Sequence, residues 1–220
     1  MRRYTIGALL LGIVLLTAWN PEDDYSLRYG KWKKQYAQQQ IKALKDGGVM
    51  LVRLQTRNRA IDLHRKNGQH DIANKIEDEQ YQENKGILAA FDQYFNFAPV
   101  YFFYSDDTEK IKTGKTAGVF LNNKLVAADS IKPNLGFFMV AEFGPLEGET
   151  RVIPGDTLVA LPDYVPGEVL ERALVIRDQN FMQMRDPFPY YLRATIKSKP
   201  EKQVNRINEQ LYSYYKSATK

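Results

Sequence analysis

"PVYFFYSDDTEKIKTGKTAGVFLNNKLV", residues 99–126, decides the fold. An apolar run from Val100 to Tyr104 meets Asp106 and Asp107, and Gly114, Lys115 and Thr116 follow. A strand, then acids, then Gly-Lys-Thr invites a nucleotide-binding reading. A phosphate loop needs Gly-x-x-x-x-Gly-Lys-Ser/Thr, because its early glycine lets backbone N–H groups wrap the phosphates. That position holds Glu109, a carboxylate that repels phosphate and lacks glycine's backbone range. Gly-Lys-Thr also leads into "AGVFLNNKLVAA" (117–128) and opens no helix. The stretch reads as strand, turn and hairpin. The hairpin is expected to turn at Asn122-Asn123, since Asn tolerates positive φ.

Upstream, "VMLVRLQT" (49–56) is an apolar, β-branched run bounded by Gly47-Gly48, which predicts a strand. Leu27, Trp32, Tyr36, Ile41 and Leu44 recur at helical spacing and predict a helix over about 27–45. Residues 57–68 predict a short helix closed by Gly68. Residues 69–96 predict another, with Ile72, Ile76, Ile87 and Phe91 on one stripe. Its polar middle, Glu77 to Gly86, is expected to face solvent.

Downstream, strands dominate: 134–144, 156–165, and a hairpin in "RALVIRDQNFMQM" (172–184) turning near Asp178 to Asn180, with "FPYYLRATI" as a further partner. Pro200 opens a closing helix whose Val204, Ile207, Leu211 and Tyr214 or Tyr215 share a face. The pattern predicts an α/β or α+β fold with a single mixed β-sheet, flanking helices and a C-terminal amphipathic helix.

The first 20 residues carry a different message. Arg2 and Arg3 precede an eleven-residue apolar core, Ile6 to Leu16, and Ala18 offers a small residue for cleavage. This is the layout of a secretory signal peptide, and the core is short of the ~20 residues that span a bilayer. The expected organisation is a signal peptide over 1–18, or an uncleaved anchor, an N-terminal helical segment over 19–48, and one α/β domain over 49–220. Either form of the leader places the body outside the cytoplasm, in the periplasm or on the envelope.

Composition narrows the chemistry. The 44% apolar and 12% aromatic residues suffice for a packed core. No cysteine is present, which excludes disulfides, thiol catalysis and thiolate metal sites. Without Arg2 and Arg3, 29 basic residues face 26 acidic ones, lowering the net charge from +5 to +3. That small excess speaks against nucleic acid as a partner, and no motif implies a cofactor.

Several residues remain as candidates. Asp106 and Asp107 lie beyond a strand's C-terminal end, where α/β sheets place sites. A haloacid-dehalogenase-type phosphatase would need Asp-x-Asp, yet Ser105 holds the nucleophile's position, so the pair reads equally as a turn or helix cap. His64 and His70, with Asp71, could converge on zinc across the Asn67-Gly68 turn, or sit solvated at a helical corner. No serine has the flanking glycines of a nucleophile elbow. Glu142, Glu147 and Glu149 are the carboxylates that loop placement offers for glycoside cleavage. From Arg193 to Lys220, seven basic residues face two acidic ones. Tyr212, Tyr215, Arg206 and Lys216 in this tail are the candidates for partner binding. The same tail could serve peripheral membrane or polyanion contact, or simply be an amphipathic helix with a solvated face.

"NFAPVYFFYSDD…AGVFLNN" together with "ALVIRDQNFMQMRDPFPYY" resembles a segment pair in uncharacterised exported proteins of Bacteroidota; the likeness implies location and no activity. The strand–turn–strand "ALVIRDQNFMQM" is also similar to the late hairpin of thioredoxin-like domains, which implies at most a thioredoxin-like arrangement without redox chemistry, since Cys-x-x-Cys is absent. The sequence leads to a non-catalytic envelope protein acting as a binding or accessory subunit with an envelope protein partner. The alternative is an envelope hydrolase using carboxylates near Asp106 and Asp107, with metal assistance as an option.

Overall fold

A computed structural model describes residues 33–145, 150–151, 159–160, 172–184, 191–193 and 199–218. The leader, the start of the first expected helix, most of the expected strand 156–165, Glu147, Glu149 and residues 194–198 lie outside the described residues. The elements are α1 (Lys33–Lys45), β1 (Val49–Leu54), α2 (Asn58–Lys66), α3 (His70–Tyr94) and β2 (Val100–Tyr104). A 3-10 turn at Ser105–Asp107 leads to α4 (Thr108–Lys112), β3 (Phe120–Leu121) and β4 (Phe138–Pro145). β5 (Thr150–Arg151), β6 (Val159–Ala160), β7 (Arg172–Arg177), β8 (Tyr191–Arg193) and α5 (Pro200–Ala218) complete the chain.

The fold is α/β. Six strands form one mixed sheet in the order β3-β2-β1-β4-β7-β8, and β5 and β6 pair separately. β1 runs parallel to both β2 and β4, and β3, β7 and β8 add antiparallel edges. The apolar runs Val49 to Val52 of β1 and Phe138 to Ala141 of β4 follow from this position: both strands are covered on both faces, so strict alternation would put polar groups in a core. On one face, Met50, Val52 and Leu54 of β1 and Met139, Ala141 and Phe143 of β4 pack with α1, α3 and α5. On the other, Val49, Leu51, Phe138 and Val140 pack with Phe103 of β2, Ile111 of α4, Val119 of the following turn and Phe120 of β3.

The N-terminal helical segment belongs to the first of these cores, through Ala37, Ile41 and Leu44. α5 packs on α1 and α3, with Val204, Ile207 and Leu211 fully buried. Asn208 on the same face accepts from the backbone N–H of Asn96 and Phe97 at 3.1 Å each, tying α5 to the chain between α3 and β2. No helix among the described residues is long and apolar enough to cross a membrane.

Two local expectations are corrected. The positive φ of the hairpin after β3 falls on Leu125 (60°), not on Asn122-Asn123. Asn122 instead holds the turn with its side chain, accepting from Lys124 N at 2.9 Å and Val126 N at 3.1 Å. The polar middle of α3 is not uniformly solvated either, because Gln80 and Asn84 are buried. The second hairpin turns where expected: Asp178 accepts from Asn180 N and Met182 N, and Arg177 pairs with Gln183.

Candidate functional site

β1 connects to β2 on one side of the sheet, and β2 then crosses to β4 on the other side of β1. The strand order reverses at β1, and the carboxyl edge beside such a reversal is where open α/β sheets leave a crevice. The chain leaves β1 through Gln55, Thr56 and Arg57. Arg57 has φ 53°, in the left-handed region that a non-glycine residue enters rarely. Arg57 Nη2 reaches Glu83 Oε2 at 3.4 Å, closing the turn onto α3.

Two concavities result. One, about 230 Å³, lies at the reversal between the ends of β1 and β4, lined by Gln55, Arg57 and Gly144 and by Gln80 and Glu83 of α3. The larger, about 340 Å³, lies beyond the ends of β1 and β2. Thr56 and Asn58 form one wall and Tyr104, Asp106 and Asp107 another, while α3 supplies Glu77, Gln80, Tyr81 and Asn84. Gln80 is common to both.

The larger cleft is organised around Asp106. Its two oxygens accept from Thr56 Oγ1 at 3.0 Å and Asn58 Nδ2 at 2.6 Å, so neutral donors from the β1–α2 connection hold the carboxylate in place. The other acids differ. Asp107 pairs with Lys110 at 2.7 Å and Glu77 with Arg65 at 2.6 Å, so each negative charge is matched locally. Tyr104 donates its hydroxyl to Leu125 O at 2.8 Å. Burial, and to a lesser degree the neighbouring Tyr81, raises the Tyr104 phenol above its ordinary pKa, keeping it neutral.

Beneath these groups the amides fix one another's orientation. The carbonyl of Gln55 can only accept, so Asn84 must present Nδ2 to it, at 2.8 Å. Asn84 Oδ1 is then an acceptor and takes Gln80 Nε2 at 3.1 Å. Gln80 Oε1 is left over: the residue is 4% exposed, and among the described residues this oxygen meets no donor. The direction of every hydrogen bond in the chain follows from the backbone carbonyl at its end.

A second polar cluster sits on the sheet itself. Glu142 is 3% exposed and accepts from Arg53 Nη1 at 2.9 Å and Arg177 Nε at 2.6 Å. Its strand neighbours place it: Arg53 is in register with Glu142 across β1 and β4. The expectation that Glu142 offers a loop carboxylate for catalysis is thereby corrected. It lies within β4, and both its oxygens are held by guanidinium groups.

The remaining predicted residues are dispersed. His64 shares a 2.7 Å hydrogen bond with Gln69, while His70 and Asp71 lie exposed in the first turn of α3. Among the described residues no group of three or more His, Asp or Glu side chains gathers to hold a metal ion. Gly114-Lys115-Thr116 forms the turn after α4, with Gly114 at φ 71° and Lys115 N donating to Lys110 O. Tyr212 packs its ring edge-on to Phe97 at 5.0 Å beneath Lys45 and donates to Asn96 O. Tyr215 donates to Asp46 at 3.3 Å. Both rings therefore help dock α5 within the chain, whereas Arg206 and Lys216 are exposed.

Sequence reasoning reached Asp106 and Asp107 but missed Thr56, Asn58, Gln80 and Asn84. One signal was legible: two amides four apart in α3, on the same helical face, where solvent exposure would require nothing of them. No family model matches the chain, and neither a curated protein nor a solved structure shows significant similarity to it.

Proposed function

We propose that the chain is an exported, non-catalytic binding subunit of the cell envelope whose ligand seats in the cleft at the carboxyl ends of β1 and β2. The observation that carries this reading is Asp106, presented by two neutral donors at the mouth of a concavity of small-molecule size. Export rests on the sequence of the leader. In the accessory role, the exposed Arg206 and Lys216 on α5 are the groups assigned to an envelope protein partner.

The hydrolase reading has one observation in its favour: Asp106, Asp107 and Glu77 line the same cleft. Against it, two of the three are ion-paired, and a general base that is neutralised by a neighbouring cation is a weak one. Native mass spectrometry of the tagged full-length product, gently extracted from the envelope fraction, tests the proposal. A chain cleaved near residue 18 and carrying a small-molecule or protein partner is the expected result. A chain that keeps its leader would identify an anchor instead. Turnover of an ester, glycoside or phosphate panel that disappears in Asp106→Asn would replace the binding reading with the hydrolase one.

A further inference from the structure

We propose that Asp46–Gly47, the turn that ends α1, is a site of spontaneous aspartate isomerisation, and that conversion to isoaspartate undoes the contact between this turn and Tyr215 of α5. Neither Asp46 nor Gly47 lines the ligand cleft.

Both residues are exposed. The N–H groups on either side of Gly47 are taken, Asp46 N by Lys42 O at 2.9 Å and Gly48 N by Ala43 O at 3.1 Å, while Gly47 N meets no acceptor among the described residues. Gly47 has φ 124° and open space beside its Cα, so a ring can close there without displacing a neighbour. The Asp46 carboxyl is only lightly held: Tyr215 donates to it at 3.3 Å, longer than a firm O–H···O bond. The end of α2 supplies an internal comparison. Asn67–Gly68 likewise places a positive-φ glycine after a helix, and an asparagine there forms the same imide with loss of ammonia. Its N–H groups are all bonded, Asn67 N to Leu63 O at 3.1 Å, Gly68 N to Arg65 O at 3.1 Å and Gln69 N to His64 O at 2.9 Å. The Gly68 nitrogen must give up a hydrogen bond before it attacks, and the Gly47 nitrogen gives up none.

The reaction needs only water. Gly47 N attacks Asp46 Cγ and loses its proton, and the neutral carboxyl loses its hydroxyl, so one water leaves as the cyclic imide forms. Water then opens the ring. Attack at Cγ restores aspartate, and attack at the main-chain carbonyl carbon leaves isoaspartate, whose main chain runs through Cβ and Cγ. Isoaspartate carries its carboxylate directly on Cα and adds one methylene to the main chain, which withdraws the group that meets Tyr215. The edge-on packing of Tyr215 against Phe97, with centroids 6.1 Å apart, still holds the end of α5 in place.

The full-length protein as recovered from cells is aged at pH ~6, where an ordinary aspartate keeps a neutral fraction, both folded and, in parallel, unfolded in guanidinium chloride. Peptide mapping with electron-transfer fragmentation separates aspartate from isoaspartate at position 46 and follows conversion of the Asn67 amide to acid. Asp46 is expected to isomerise in the folded protein within about twofold of its unfolded rate, whereas Asn67 deamidates about tenfold more slowly folded than unfolded. Asp46→Glu keeps a carboxylate at an exposed position, but its side chain closes only a larger and much slower ring, so no isomer forms there. Tyr215 ring signals in the aged wild type split into two sets in proportion to isoaspartate, and stay single in Asp46→Glu. Folding that slows Asp46 as much as it slows Asn67 overturns the site. A single set of Tyr215 signals in a sample rich in isoaspartate overturns the loss of the Tyr215 contact.

Discussion

Replacing Glu142 by Gln removes one negative charge from between the buried guanidinium of Arg177 and the partly buried one of Arg53. Glu142 is 3% exposed, and the side chains of Arg177 and Arg53 are 8% and 25% exposed. Loss of the carboxylate leaves two cations facing an amide whose nitrogen is itself a donor. Breaking a buried ion pair by neutralising one partner costs about 3–5 kcal/mol. Arg53 can turn partly into solvent, which lowers that figure to about 3–4 kcal/mol. For a domain of this size such a loss lowers the melting temperature by roughly 6–16 °C. Urea denaturation followed by far-UV circular dichroism measures it directly, through a lower midpoint at unchanged slope. The triple replacement Arg53→Met, Glu142→Leu, Arg177→Met removes all three charges together and should recover most of the stability, because desolvation of the cluster is then relieved as well. A Glu142→Gln protein within about 1 kcal/mol of the wild type would refute the reasoning, since both arginines would then have to reach water freely.

Three further outcomes are expected. Asn208→Ala strips the acceptor from Asn96 N and Phe97 N and should destabilise by about 2–3 kcal/mol, measured by the same denaturation. Gly48→Ala places a methyl 2.6 Å from Phe137 Cδ1 and 2.8 Å from Leu44 Cα; the backbone of α1 cannot yield, so a loss of about 1–3 kcal/mol is expected, whereas Gly68→Ala meets open space and should lose only the strain of its left-handed φ of 73°, about 1–2 kcal/mol. The phenol of Tyr215 titrates above its ordinary value, chiefly because the Asp46 carboxylate opposes a second negative charge, with burial and their hydrogen bond adding to the shift. A raised folded-state pKa means that this contribution is complete below pH ~10 and is lost as pH rises through the folded value. Asp46→Asn should therefore bring the Tyr215 ring-carbon titration, followed by NMR, down toward pH ~10 and flatten the alkaline loss of stability; an unmoved titration would show that Asp46 is not the cause.

Much of the architecture was legible in the chain because local signals agreed with one another. Val49 to Val52 and Phe138 to Ala141 are apolar without alternation, which marks strands covered on both faces. Pro200 and the spacing of Val204, Ile207 and Leu211 fix the last helix and its inward side. Gly-Lys-Thr was legible as a turn once the early glycine of the phosphate motif was missing, and Gly114 takes its positive φ just after α4. Leu125 was not legible, because nothing about a leucine announces a left-handed backbone. There the side chain of Asn122 and burial of Leu125 in the core outweigh the conformational cost.

The sequence by itself determined the kinds of element, their order and the exclusion of thiol and phosphate-loop chemistry, since each depends on residue type and spacing along the chain. It also placed Asp106 beyond a strand. Only the tertiary structure decided what holds that carboxylate, because Thr56 and Asn58 reach it from about fifty residues away. The same holds for Arg53, Glu142 and Arg177, which meet across three strands. Hydrogen-bond direction at Gln80 is settled by a carbonyl 25 positions earlier, through an intermediary one helical turn along α3. Such roles depend on through-space distance, which strand pairing sets and chain order does not.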